Sequence, residues 1–114
     1  MSYTRDKAEK VITRAGGDPA TAGPLAQWAQ AALEARAAGT GVIVGRDGTV
    51  LGTTVRNRST TGEVWYADRA TTARYEMSGN QLGLALASIR REVGQDVLHV
   101  TYSDVCTGSG KAAR

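Results

Sequence analysis

Apolar residues recur with a helical period along the first third of the chain and with a period near two along its middle. Residues 4–15 place Ala8, Val11, Ile12 and Ala15 on one narrow stripe, which predicts a short helix from Thr4 to the pair Gly16–Gly17. Asp18–Pro19 supplies a cap followed by proline at a first helical position, and Gly23–Pro24 restarts the run. From Pro24, the residues Leu25, Trp28, Ala29, Ala32 and Leu33 fall at i, i+3, i+4, i+7 and i+8, predicting an amphipathic helix closed by Gly39.

The period then changes. Val42–Val44 and Thr49–Val55 are β-rich runs separated by Gly45-Arg46-Asp47-Gly48, and Asp-Gly between such runs predicts a β-hairpin over 41–56. RNRSTTG (56–62) reads as a loop with two arginines, EVWYA (63–67) as a third strand, and TTARYEM (71–77) as either a strand or an early helical turn. Ser78-Gly79-Asn80-Gln81 matches a capping box, with Met77 and Leu82 spaced as a hydrophobic staple. A helix over 78–93 follows, with Leu82, Ala85, Leu86, Ile89 and Val93 on one face and Gly94 after its end. QDVLHVTY (95–102) predicts a last strand, and DVCTGSGKAAR a flexible tail.

These elements give an α/β (α+β) domain: a small mixed sheet of 4–5 strands with an N-terminal helical segment and helices packed on the sheet. With 114 residues the chain suits one domain, taken as 1–109 with the 1–17 helix free to lie at its periphery and 110–114 as tail. Phenylalanine is absent, so the core must rest on Val, Leu, Ile and Ala. No run of about 18 apolar residues is present, so no membrane contact through a spanning helix is expected. One cysteine excludes an internal disulfide and points to a reducing, cytoplasmic setting.

Charge changes this picture little. The net charge is +3, but the basic residues are scattered, which fits a solvated surface better than a nucleic-acid footprint. His99 and Cys106 are the only His and Cys, too few for a zinc site, so neither metal nor cofactor is expected. Phosphate-loop and dinucleotide fingerprints are absent: GSGKAAR lacks the spacing, and Gly39, Gly41 and Gly45 flank a strand without leading into a helix.

From Pro24 to Ser109 the order of an Ala-rich helix, the hairpin GVIVGRDGTVLG, ARYEM (73–77), VLHVTY and VCTGS (105–109) resembles the cytidine deaminase-like superfamily. That resemblance implies a fold in which His and two Cys hold zinc and a Glu moves protons. Glu76 and Cys106 match, while Arg74 stands at the His position and Ser109 at the second Cys. Guanidinium cannot ligate a cation, so the resemblance implies a degenerate fold, a pseudoenzyme, with Glu76 as the one catalytic candidate. Asp47, Gln81 and Asp104 also follow the order of the acidic triad in ribonuclease H-like domains, with Gln81 replacing the helix carboxylate.

The functional expectation is a non-enzymatic module acting through a protein partner or a second copy, offered by an open sheet edge at the last strand. The alternative is a nucleotide or nucleic-acid binding module in which Arg56, Arg58 and Arg74 meet phosphate and Trp65, or Tyr66, stacks on a base. Glu76 is otherwise expected to be an ion-pairing residue beside Arg74.

Overall fold

A computed structural model describes residues 4–36, 38–59, 62–107 and 111–112, with residues 58, 59, 62, 63, 106, 107, 111 and 112 described as backbone only. The first apolar stripe folds as predicted: helix α1 (Arg5–Arg14) opens on Thr4, whose side chain accepts from the Lys7 N–H, and buries Ala8, Val11 and Ile12. Asp18 caps a single 3-10 turn (Pro19–Thr21), and α2 (Gly23–Glu34) buries Leu25, Ala29 and Ala32. Helix α2 ends at Ala35, ahead of the predicted stop at Gly39.

The sheet holds β1 (Thr40–Gly45), β2 (Val50–Ser59), β3 (Gly62–Ala67), β4 (Val97–Thr101) and the short β5 (Lys111–Ala112), in the order β3-β2-β1-β4-β5. Asp47 closes the β1–β2 turn by accepting from the Thr49 N–H, and Gly48 takes the positive φ of +82° that this turn requires. Every described pairing is antiparallel, where a mixed sheet was expected. The reason lies in the crossover from β3 to β4. Residues beyond the helix α3 (Arg69–Arg74) run back antiparallel to β3 through the Tyr66–Gln81 bridge, and α4 (Leu82–Val93) returns. The chain therefore enters β4 at the end of the sheet where β3 stops.

Alternation along the strands sends side chains to two separate layers. Val42, Val44, Leu98 and Val100 pack with α1, α2 and Val105 on one face; Ile43, Ala67 and Val97 pack with Ala85, Leu86 and Ile89 of α4 on the other. No helix among the described residues is long and apolar enough to cross a membrane.

Three further expectations are corrected. The stretch 56–59 continues β2 instead of forming a loop, because Arg56, Asn57, Arg58 and Ser59 pair with Trp65, Val64, Glu63 and Gly62. The region after Thr101 forms α5 (Tyr102–Thr107), opened by a reciprocal cap: the Asp104 carboxylate accepts from the Thr101 N–H at 2.8 Å, and Thr101 Oγ1 accepts from the Asp104 N–H at 3.2 Å. The last large strand, β4, is paired on its outer side by the two residues of β5 at Leu98 and His99, and β3 stands at the opposite edge of the sheet.

Two layers on opposite faces of one sheet should respond independently. Ile12→Val and Ile89→Val are each expected to cost roughly 0.5–1.5 kcal/mol in urea denaturation, and the double variant close to the sum. A coupling well above that scatter would contradict separate layers.

Candidate functional site

One irregularity in β2 positions a cleft on the surface. The register with β1 slips between Ile43–Gly52 and Val44–Val50, so Leu51 is an extra residue. Its side chain and Gly52 both address the α4 layer, and its carbonyl accepts from the Tyr75 hydroxyl at 2.7 Å and from Arg74 Nη1 at 3.2 Å. Gly52 has no side chain because a β-carbon there would lie 2.6 Å from Thr71 Cγ2. Thr71 is buried, takes the Asp68 carboxylate on its N–H and accepts the Thr53 N–H on its hydroxyl, both at 2.9 Å. Helix α3 is thereby fixed beside β2 at both of its ends.

Between this anchored helix, the β2–β3 ribbon and the turn after α3 lies a cleft of about 1030 Å3. Val55, Asn57 and Tyr66 come from the ribbon, Arg69, Thr72 and Ala73 from α3, and Glu76 to Asn80 from the turn. The turn rests on the free edge of β3, where the Ala67 N–H donates to the Asn80 carbonyl at 2.7 Å. Glu76 occupies the left-handed region at φ 49°, a conformation unfavourable for a residue with a β-carbon. Among the described residues neither the Glu76 carboxylate nor the Arg69 guanidinium has an ion-pair or hydrogen-bond partner, so Glu76 is not the expected ion-pairing residue. The cleft thus carries one open charge of each sign, an aromatic ring and two amides.

The sequence-predicted residues separate. Glu76 and Arg56 line the cleft, and Arg56 has an interaction of its own. Arg74 is turned to a smaller hollow beside Leu51 and lies over the Tyr75 ring, 5.2 Å from its centroid. The Arg58 and Cys106 side chains lie outside the described residues. The backbone of α5, which carries Cys106, packs with α1 and α2, whereas Tyr75 and Met77, which flank Glu76, belong to the opposite layer. The structure therefore does not bring Arg74, Glu76 and Cys106 to one centre. No group of three or more His, Cys, Asp or Glu side chains among the described residues could hold a metal ion.

Trp65 stands on the other face from Tyr66, as strand alternation requires, and its ring reaches back across β2 and β1 to meet His99 edge-on with centroids 5.1 Å apart. Beneath it Thr54 Oγ1 and His99 Nε2 are hydrogen-bonded at 2.9 Å. Gly41 permits this bond, since a β-carbon there would lie 2.5 Å from Thr54 Oγ1 and 2.9 Å from His99 Nε2. Thr54 is fully buried, which removes it as a nucleophile and makes the trio a packing device. Sequence reasoning missed Arg69, Thr72 and Asn80 as cleft residues; the only available signal was their nearness to Glu76.

No protein-family model, curated protein or solved structure matches this chain.

Burial lowers the His99 pKa to about 4, against an opposing pull from the Asp104 carboxylate. As pH falls, the unfolded chain takes up the imidazole proton first. The stability contributed by neutral His99 is therefore present above about 6.5 and lost between that value and about 4. The loss should be on the order of 3 kcal/mol by pH 4. Urea midpoints measured across this window should fall more steeply for the parent chain than for His99→Gln; parallel profiles would contradict a half-buried neutral imidazole.

Proposed function

We propose that this domain is a non-enzymatic binding module whose ligand occupies the cleft between α3, the β2–β3 ribbon and the 76–80 turn. The cleft itself carries the reading: a concavity of about 1030 Å3 in a 114-residue domain, of the size that ligand sites reach. Its walls combine apolar area from Val55, Ala73 and Met77 with Tyr66, Asn57, Asn80, Arg69 and Glu76. A ligand with a planar ring, an anionic group and hydroxyls would meet a complementary group for each part. The ring lies against Tyr66, the anion at Arg69, and the hydroxyls donate to the Glu76 carboxylate. A nucleotide has all three parts.

A protein partner is the second reading, favoured by the position of β3. It stands at the edge of the sheet, and among the described residues the turn pairs with it only around Tyr66 and Ala67. An extended segment could add alongside Gly62–Trp65. A second copy of this chain could supply that segment.

Amide chemical shifts during titration with AMP, adenosine and inorganic phosphate test the first reading. AMP is expected to move the Thr72, Ser78 and Asn80 signals, and Arg69→Ala should weaken AMP about tenfold or more while leaving adenosine little changed. Ala73→Trp, which fills the cleft from an exposed helical position, should abolish the shifts. Shifts confined to residues outside the cleft, or none at millimolar ligand, would overturn the nucleotide assignment.

A further inference from the structure

The residues that form one wall of the cleft are written for a conformation they do not adopt. Ser78-Gly79-Asn80-Gln81 has the pattern of a helix start, with Ser78 as cap and Gln81 reaching back to it. In the structure α4 starts at Leu82 instead, Gln81 stands at the cap position in an extended conformation (φ −62°, ψ 146°), and no side chain caps the helix. Neither Ser78 nor Gln81 makes a side-chain hydrogen bond among the described residues. What holds 79–81 out of the helix is the sheet edge: the Ala67 N–H donates to Asn80 O at 2.7 Å, and Gln81 bridges Tyr66.

The two arrangements exchange comparable interactions. Extending α4 to Ser78 would let the N–H groups of Leu82, Gly83 and Leu84 reach the carbonyls of Ser78, Gly79 and Asn80, and would engage both idle capping side chains. It would also leave the Ala67 amide, in a residue only 2% exposed, without its partner, and would place Gly79 and Asn80, poor helix formers, in the first turn. Met77 and Leu82 now rest on the same apolar cluster and tether both ends of the segment. At its start Glu76 holds the left-handed conformation.

We propose that residues 76–81 are a two-state strap: paired to β3, it completes the cleft; wound onto α4, it removes the wall contributed by 76–80 and uncovers the β3 edge. This regulates the site assigned above and rests on that assignment for its functional consequence. A ligand held in the cleft favours the paired state, because only that state presents the complete wall.

Hydrogen exchange of the Ala67 amide, measured on the full chain without ligand, reads the strap directly. Ser78→Ala removes a cap used only by the wound state, so Ala67 exchange should slow about fivefold, while the Val42 and Val100 amides, which report opening of the central sheet, stay unchanged. Gly79→Ala should act in the opposite direction. Alanine favours the helix, and its β-carbon would lie 2.9 Å from Leu84 Cδ1 in the paired state. Ala67 exchange indifferent to both variants, or changing in step with Val42 and Val100, would overturn the strap. Failure of the cleft assignment is a different result: a chain that binds no ligand would still show these exchange changes, and a working cleft with a static strap would bind without them.

Discussion

The carbonyl of Leu51 is the constraint on which the described cleft depends. One surplus residue in β2 turns a partly buried backbone acceptor out of the β1–β2 ladder, which leaves it in need of donors from outside the sheet. Tyr75 and Arg74 satisfy it together, which ties the end of α3 to the sheet. The bonds of Asp68 and Thr71 to the Thr53 backbone tie the beginning. A helix of six residues has too little intrinsic stability to hold its own position, so these tertiary anchors place it. The turn that follows must then descend along β3, and the space between turn, helix and ribbon becomes the cleft.

A second polar arrangement stabilises the opposite end of the same sheet face. Only a residue without a side chain at position 41 allows Thr54 and His99 to bond across β1, and Trp65 shields that bond from water. Burial of the imidazole follows, and with it the loss of basicity. The same arrangement commits Trp65 to the His99 side of the sheet and leaves Tyr66 as the aromatic residue of the cleft.

How much of this was legible followed from how local each cause is. Helices α1 and α2, the Asp-Gly hairpin and the apolar face of α4 are dictated by periodicity and turn chemistry within a few residues, and they form as predicted apart from the earlier end of α2. Capping boxes show the limit. The Ser78–Gln81 pattern is overridden by pairing to a strand some fifteen residues earlier, whereas Thr101-Tyr102-Ser103-Asp104, read as strand end and tail, forms a real cap because nothing competes for it. Of the candidate residues, Glu76 and Arg56 do line the cleft, but Arg74 is drawn to a bulge that no local pattern announces, and Trp65 to a histidine three strands away. Arg69 gave no sign of its place in the cleft because the helix that presents it is placed by Leu51 and Thr53.

The most direct test of this account is a set of long-range nuclear Overhauser contacts around Leu51 in the unliganded chain. The expected pattern pairs Val44 with Val50 and Ile43 with Gly52, skips Leu51, and joins the Tyr75 ring to Leu51. An uninterrupted register that pairs Val44 with Leu51, with Tyr75 distant from both, would contradict the anchoring of α3 and with it the cleft.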